Sequence, residues 1–355
     1  MAVLDRLFDQ MLSTGASDLH LAEGQPAKLR LHGSVVPLPE HGTLDQERIR
    51  SMLREICRPE RWEKFEVTGD LDFAYAYETK ARFRANYNKQ YAGYGAVFRT
   101  IPSKILTLEQ LGAPAVLKAF GELSSGLCLV TGPTGSGKST TLAAVIDFVN
   151  TTYPRHIVTI EEPIEFVHPL KRSTIVQREV GIDALSFADG LRATSRQDVD
   201  VMLVGEMRDL ETIGLAVSAA ETGMLVFGTL HTNSAVKTID RIIDVFPADQ
   251  QNAIRQTLSV ALRGVCAQLL LKKSGGKGRV AAHEILLQNL AVSNTIREAK
   301  NAMLTQIIMS SKAAGMQLMD DCIQGLLTQG IIDGEEAYMK AIEKERFKQF
   351  AHGAA

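Results

Sequence analysis

The chain has 355 residues, with 39 Lys and Arg against 41 Asp and Glu for a formal net charge of −2, and 45% of its residues are apolar. This is globular composition and excludes a disordered tail, a collagen-like rod or a low-complexity scaffold. The near-neutral charge speaks against a bulk nucleic-acid binder, so no nucleic-acid partner is expected, and the length predicts two domains with separate cores.

Taken in chain order, Leu4, Leu7, Phe8, Met11 and Leu12 recur at helical spacing and stop at Gly15, predicting an amphipathic first helix. Residues 17–21 and 28–32 read as strands, punctuated by Gly24 and Gly33. A helix over 45–57 follows, and Pro59 opens another that carries Trp62 and Phe65. Three more strands are expected at 70–77, 82–88 and 93–100, completing an α+β unit over 1–100 built on an antiparallel sheet. Residues 101–125, with Pro102 and Pro114, read as a linker holding one short helix. From Gly126 the rhythm changes to buried strand, turn and helix, with strands at 126–131, 156–160, 200–204 and 225–230. All are near-continuously apolar, which predicts an α/β core over 126–290 with helices on both faces of a parallel sheet. Residues 291–355 read as helical, with 351–355 frayed.

The cysteines, Cys57, Cys128, Cys266 and Cys322, stand far apart, so no Cys-x-x-Cys zinc or redox unit exists. Free thiols suit a reducing compartment. Asp5, Arg6 and Asp9 interrupt the start too early for a signal peptide, and no apolar stretch approaches the ~20 residues that span a bilayer. A cytoplasmic protein is expected, with docking on a membrane surface still open.

Gly132-Pro133-Thr134-Gly135-Ser136-Gly137-Lys138-Ser139, with Thr140 next, matches G-x-x-x-x-G-K-[ST] between an apolar strand and a helix-forming run. The glycines let backbone N–H groups turn inward around phosphate oxygens, where a side chain would not fit. Lys138 brings a compact positive charge to the β- and γ-phosphates of ATP. Ser139 offers a hydroxyl to Mg²⁺, and the following helix directs its positive end at the phosphates.

Hydrolysis further needs a carboxylate to handle water and positive charge for the transition state. Two strands end in acids: Thr159-Ile160-Glu161-Glu162-Pro163-Ile164-Glu165 and Val204-Gly205-Glu206-Met207-Arg208. In an open parallel sheet, ligands bind at the strands' carboxyl ends, so Glu206, Glu161 and Glu162 are candidate catalytic residues; Glu161, Glu162 and Glu165 cannot all point inward. A third strand runs into His231, a structural hydrogen-bonder or a phosphate contact, its strand-end position favouring the latter. Arg82, Arg84 and Arg99 lie on N-terminal strands and become arginine fingers only if one subunit covers another's nucleotide.

These ordered motifs resemble the type IV pilus retraction ATPases, the PilT-type members of the secretion ATPase superfamily. The resemblance rests on the loop at 132–139, Ile160-Glu-Glu-Pro-Ile-Glu165, Leu203-Val-Gly-Glu-Met-Arg208 and Thr229-Leu-His-Thr-Asn-Ser-Ala235, with Gly95–Ser103 and Val280–Glu284 also alike. It implies a PAS-like α+β domain, a RecA-like P-loop core and a helical C-terminal region. It further implies a homohexamer that hydrolyses ATP to power pilus retraction and twitching motility. Expected partners are an inner-membrane pilus platform protein and a second retraction ATPase, with the ring cytoplasmic and peripheral at the inner membrane. Glu206 would be the catalytic carboxylate, and Arg82 and Arg84 would reach a neighbouring subunit's phosphates.

Three positions depart from the family pattern: Glu162 stands for an aspartate, Met224 for an earlier histidine, and Ser293 for an arginine in the segment linked to retraction. Other readings are a pilus assembly or type II secretion ATPase, an accessory PilU-like retraction ATPase, a DNA translocase, and a non-catalytic nucleotide-binding regulator. The scattered cysteines weigh against the four-cysteine zinc insert of assembly ATPases. Net charge weighs against DNA, and Glu206 together with Lys138 and Ser139 weighs against a regulator.

Overall fold

A computed structural model describes residues 3–31, 33–78, 80–101, 104–276 and 278–350. His32, Pro102, Ser103 and 351–355, which figure in the expected second strand, linker, family-like run and frayed end, lie outside the described residues. The chain forms two compact units, one of residues up to 104 with 163–167, the other of 105–162 with 168 onward.

The first unit is a six-stranded antiparallel sheet: β1 (Asp18–Ala22), β2 (Lys28–Leu31), β3 (Ser34–Pro37), β4 (Asp70–Tyr77), β5 (Ala81–Gln90) and β6 (Gly93–Ile101), in the order β3-β2-β1-β6-β5-β4. The helix Val3–Thr14 buries Leu4, Leu7, Phe8 and Met11 on one stripe, with Phe8 stacked on Phe83 at 4.3 Å between ring centroids. Helix Gln46–Ile56 starts where Asp45 accepts a hydrogen bond from the Arg48 N–H at 2.8 Å, and Pro59 opens Pro59–Thr68. Along β5, Ala81, Phe83, Ala85 and Tyr87 face the core, which turns Arg82 and Arg84 to the other face. Strand β3 escapes sequence reading because all four of its residues are exposed on the sheet edge.

The second unit carries a seven-stranded sheet: β7 (Gly126–Thr131), β8 (His156–Glu161), β9 (Thr174–Glu179), β10 (Val201–Val204), β11 (Leu225–Leu230), β12 (Leu262–Lys272) and β13 (Arg279–Leu287). The order is β13-β12-β7-β11-β10-β8-β9, parallel except for β13. Helices Ala115–Glu122 and Lys138–Thr152 cover one face through Leu117, Phe120, Val145 and Val149. Leu210–Glu221, Ala235–Asp244 and Gln251–Ala261 cover the other through Ile213, Val217, Ile239 and Leu258. The C-terminal helices Met319–Thr328 and Gly334–Lys340 pack Met319, Ile323 and Ala337 on Ala267, Leu271 and Ala282 of β12 and β13.

This architecture places two of the departures. Met224 precedes β11, whose six residues span about 20 Å before His231, so within one chain Met224 lies at the wrong end of the sheet for the phosphates. Ser293, on helix Leu290–Arg297, is buried; its hydroxyl donates to the Ser259 carbonyl at 2.8 Å and accepts from Gln288 Nε2 at 3.1 Å. It pins two helices where an arginine would have to bury its charge.

Candidate active site

Strands β7, β11, β10 and β8 lie side by side and in register, with Thr131 opposite Leu230, Gly228 opposite Val204, and Val204 opposite Ile160. Their carboxyl ends therefore deliver residues 132–139, His231, Glu206, and Glu161 with Glu162 to one edge of the sheet.

In the loop, Gly132, Gly135 and Gly137 hold φ of 147°, 78° and 89°. A Cβ on Gly132 would lie 2.3 Å from the Gln268 carbonyl oxygen and 2.6 Å from Ser136 Oγ, so the first turn admits only glycine. Buried Lys138 folds back over this turn, its Nζ donating to the carbonyls of Gly132 at 2.9 Å and Pro133 at 3.2 Å. Pro133, Thr134 and Gly135 are exposed, and Ser139 and Thr140 are half-buried at the head of helix Lys138–Thr152. No side chain caps that helix start and Ser136 Oγ is buried without a hydrogen-bond partner, both among the described residues. A glycine cradle, an uncapped helix start and an orphaned hydroxyl fit a bound phosphate.

Glu206 is half-buried, its side chain 18% exposed. Arg208 Nη2 donates a hydrogen bond to its Oε2 at 2.7 Å, Arg208 Nε forms an ion-pair contact with Oε1 at 2.6 Å, and His231 Nε2 lies 3.0 Å from Oε1. Burial works against ionisation, but the hydrogen bond and charge of Arg208, followed by His231, outweigh it and hold the carboxyl below the usual glutamate value. Sequence reading gave Arg208 no role; its place two residues beyond the acid was the available signal.

The acids after β8 separate. Glu161 Oε1 accepts from Thr159 Oγ1 at 2.7 Å and Gln177 Nε2 at 3.3 Å, which draws it towards β9. Glu162 is exposed, with Oε2 3.9 Å from Arg208 Nη1. Gly205 leaves little room beside β8: a Cβ there would lie 3.1 Å from both the Glu161 Cα and the Ile160 carbonyl, so a larger residue would need its neighbours to shift. Thr229 of β11 donates to the Gly205 carbonyl at 2.5 Å, and Glu284 accepts from the Ala235 N–H at 2.7 Å, fixing the helix that follows His231; neither was found from sequence.

In the first unit, Arg84 Nε donates to Asp72 across β4 at 3.1 and 3.2 Å, and Arg99 Nε to Asp18 at 2.8 Å. Arg82 Nη2 donates to the Ile164 carbonyl at 3.3 Å. Glu165 is half-buried in the short segment 163–167 of that unit.

A parallel sheet with a glycine cradle at one strand end and an ion-paired glutamate two strands away defines a P-loop nucleotide-binding protein with a RecA-like core. Residues 1–338 match the family model of type II/IV secretion system proteins, and the chain belongs to that family. It is 50% identical over 335 residues, 94% of this chain and 96% of the relative, to the type IV pilus retraction ATPase PilT of Pseudomonas aeruginosa. To a twitching motility protein of Neisseria gonorrhoeae it is 47% identical over 346 residues, 97% of this chain and 91% of that one. The crystal structure of the pilus retraction motor PilT with bound ADP superposes with a TM-score of 0.90 at 42% identity, covering 98% of this chain and 99% of that chain.

Proposed function

We propose that this chain is an ATP-hydrolysing motor that powers type IV pilus retraction. The observation that carries the proposal is the ion-paired Glu206 on the same sheet edge as the 132–139 cradle, in a chain 50% identical over 94% of its length to a retraction ATPase.

Lys138 and the loop N–H groups, with Gly132 to Thr140 around them, hold the β- and γ-phosphates. Ser139, half-buried at the head of helix Lys138–Thr152, would be the protein ligand of a Mg²⁺ ion that accompanies the phosphates. Magnesium, when bound with the nucleotide, neutralises charge on the phosphate oxygens. Glu206 orients and deprotonates the attacking water, and His231 links that carboxylate to the phosphate end. Glu162, exposed at the strand end, would help to hold the Mg²⁺ ion, which would supply positive charge to the phosphates. Arg82 and Arg84 act in trans within a homohexamer, Arg84 after leaving Asp72. The ring works on an inner-membrane pilus platform protein from the cytoplasmic side, alongside a second retraction ATPase; no helix among the described residues is long and apolar enough to cross a membrane. Work requires that ATP and ADP favour different arrangements of the ring.

Arg208 is the leading cause that lowers the Glu206 value, so Arg208→Gln lets that value rise. Water activation needs the ionised form, so the acid limb of the kcat/KM profile should move to higher pH. An unmoved limb would separate Arg208 from the chemistry.

Deletion of the gene tests the function. Excess, immobile surface pili are expected, with twitching restored by the wild-type gene and not by Glu206→Gln. Absence of pili in the deletion strain would make this an assembly ATPase and overturn the proposal.

A further inference from the structure

Gln268 lies on β12 within the run Val265–Leu271 and is 2% exposed, in an apolar setting where an amide must find partners. Its Nε2 donates to the Ser136 carbonyl at 2.7 Å, and its Oε1 accepts from the Thr141 hydroxyl at 2.8 Å. The orientation follows from chemistry: a carbonyl only accepts, so the amide nitrogen faces Ser136 and the oxygen is left for Thr141. The backbone of the same residue closes on the loop's first turn, where its carbonyl excludes any Cβ at Gly132.

In a trans peptide the C=O of one residue and the N–H of the next point in opposite directions. Tying the Ser136 carbonyl to β12 therefore turns the Gly137 N–H away from β12, to the side where the leading amides of helix Lys138–Thr152 are directed. We propose that Gln268 is a positioning residue of the P-loop: its side-chain amide holds the Ser136–Gly137 peptide in the orientation that offers the Gly137 N–H to phosphate. The proposal rests on the reading of residues 132–139 as the phosphate site.

ADP titrations of the full-length chain from pH 5.5 to 9, comparing wild type, Gln268→Glu and Gln268→Met, test it. Taking the ratio of variant to wild-type Kd at each pH cancels the nucleotide's own titration. At high pH the introduced carboxylate has no hydrogen for the Ser136 carbonyl, so Gln268→Glu should bind roughly ten-fold more weakly. As pH falls the carboxyl protonates, donates again, and the ratio returns towards one. Gln268→Met, which cannot donate at any pH, should show a constant deficit of the same order. Wild-type affinity of Gln268→Glu at every pH, or a deficit that ignores pH, overturns the proposal. Should that variant not fold, wild-type ADP affinity in Gln268→Met overturns it, and a pH-independent, roughly ten-fold loss at unchanged Tm supports it. Failure of the wild-type chain to bind ADP would remove the phosphate site itself, a separate result.

Discussion

Glu206→Gln should lower ATP turnover at least about a hundred-fold while ATP and ADP affinities stay within roughly two-fold of wild type. The amide keeps the shape of the side chain but cannot take a proton from water. Its environment is built around the anion: Arg208 gives one hydrogen bond and one ion-pair contact and His231 a third contact, all to the carboxylate. The cradle at 132–139 shares none of these contacts, so binding is left intact. Phosphate release and a nucleotide titration on the same preparation check both halves. Turnover near the wild-type rate would transfer the catalytic role to Glu162 or Glu161.

Lys138→Ala should act on the other term and weaken ATP binding by about a hundred-fold. The ammonium group is buried and already tied to the Gly132 and Pro133 carbonyls, so its removal costs the phosphates a charge and loosens the turn that presents the loop. Lys138→Arg should rescue little, because a planar guanidinium does not reproduce a compact point charge in a space shaped by Gly132. Calorimetric titration with ATP measures the loss, and unchanged affinity would contradict the assignment.

The two variants bear on residues that differ in how they announce themselves in sequence. The loop is legible because glycine is demanded at fixed positions, and φ of 147° at Gly132 with a carbonyl 2.3 Å from its would-be Cβ supplies the reason. Strands β7, β10 and β11 are legible because both faces are covered and every residue is apolar or buried. Strand β9 is hidden by its polar, half-exposed edge position, and the β12–β13 hairpin by mostly apolar stretches, broken by Gln268, His283 and Glu284, that suit a helix equally well.

Side-chain partnerships are harder to read. Gln268 and Ser136 are 132 residues apart, and only the presence of a lone amide in an apolar run hinted that it had a buried partner. Arg84 meets Asp72 because β4 and β5 pair with Ala74 opposite Arg84, a register that no local pattern encodes. Among the acids after β8, sequence reading predicted that not all would turn inward. The structure ties Glu161 to Thr159 and to Gln177 of β9, a strand that its polar sequence conceals.

A structure of the chain with Mg²⁺ and a non-hydrolysable ATP analogue decides whether Glu206 is the catalytic carboxylate. The β- and γ-phosphates are expected on residues 132–139, with the Glu206 carboxylate one water molecule from the terminal phosphorus. A terminal phosphate bound elsewhere, or another carboxylate holding that water while Glu206 stays turned away on Arg208, would contradict that assignment.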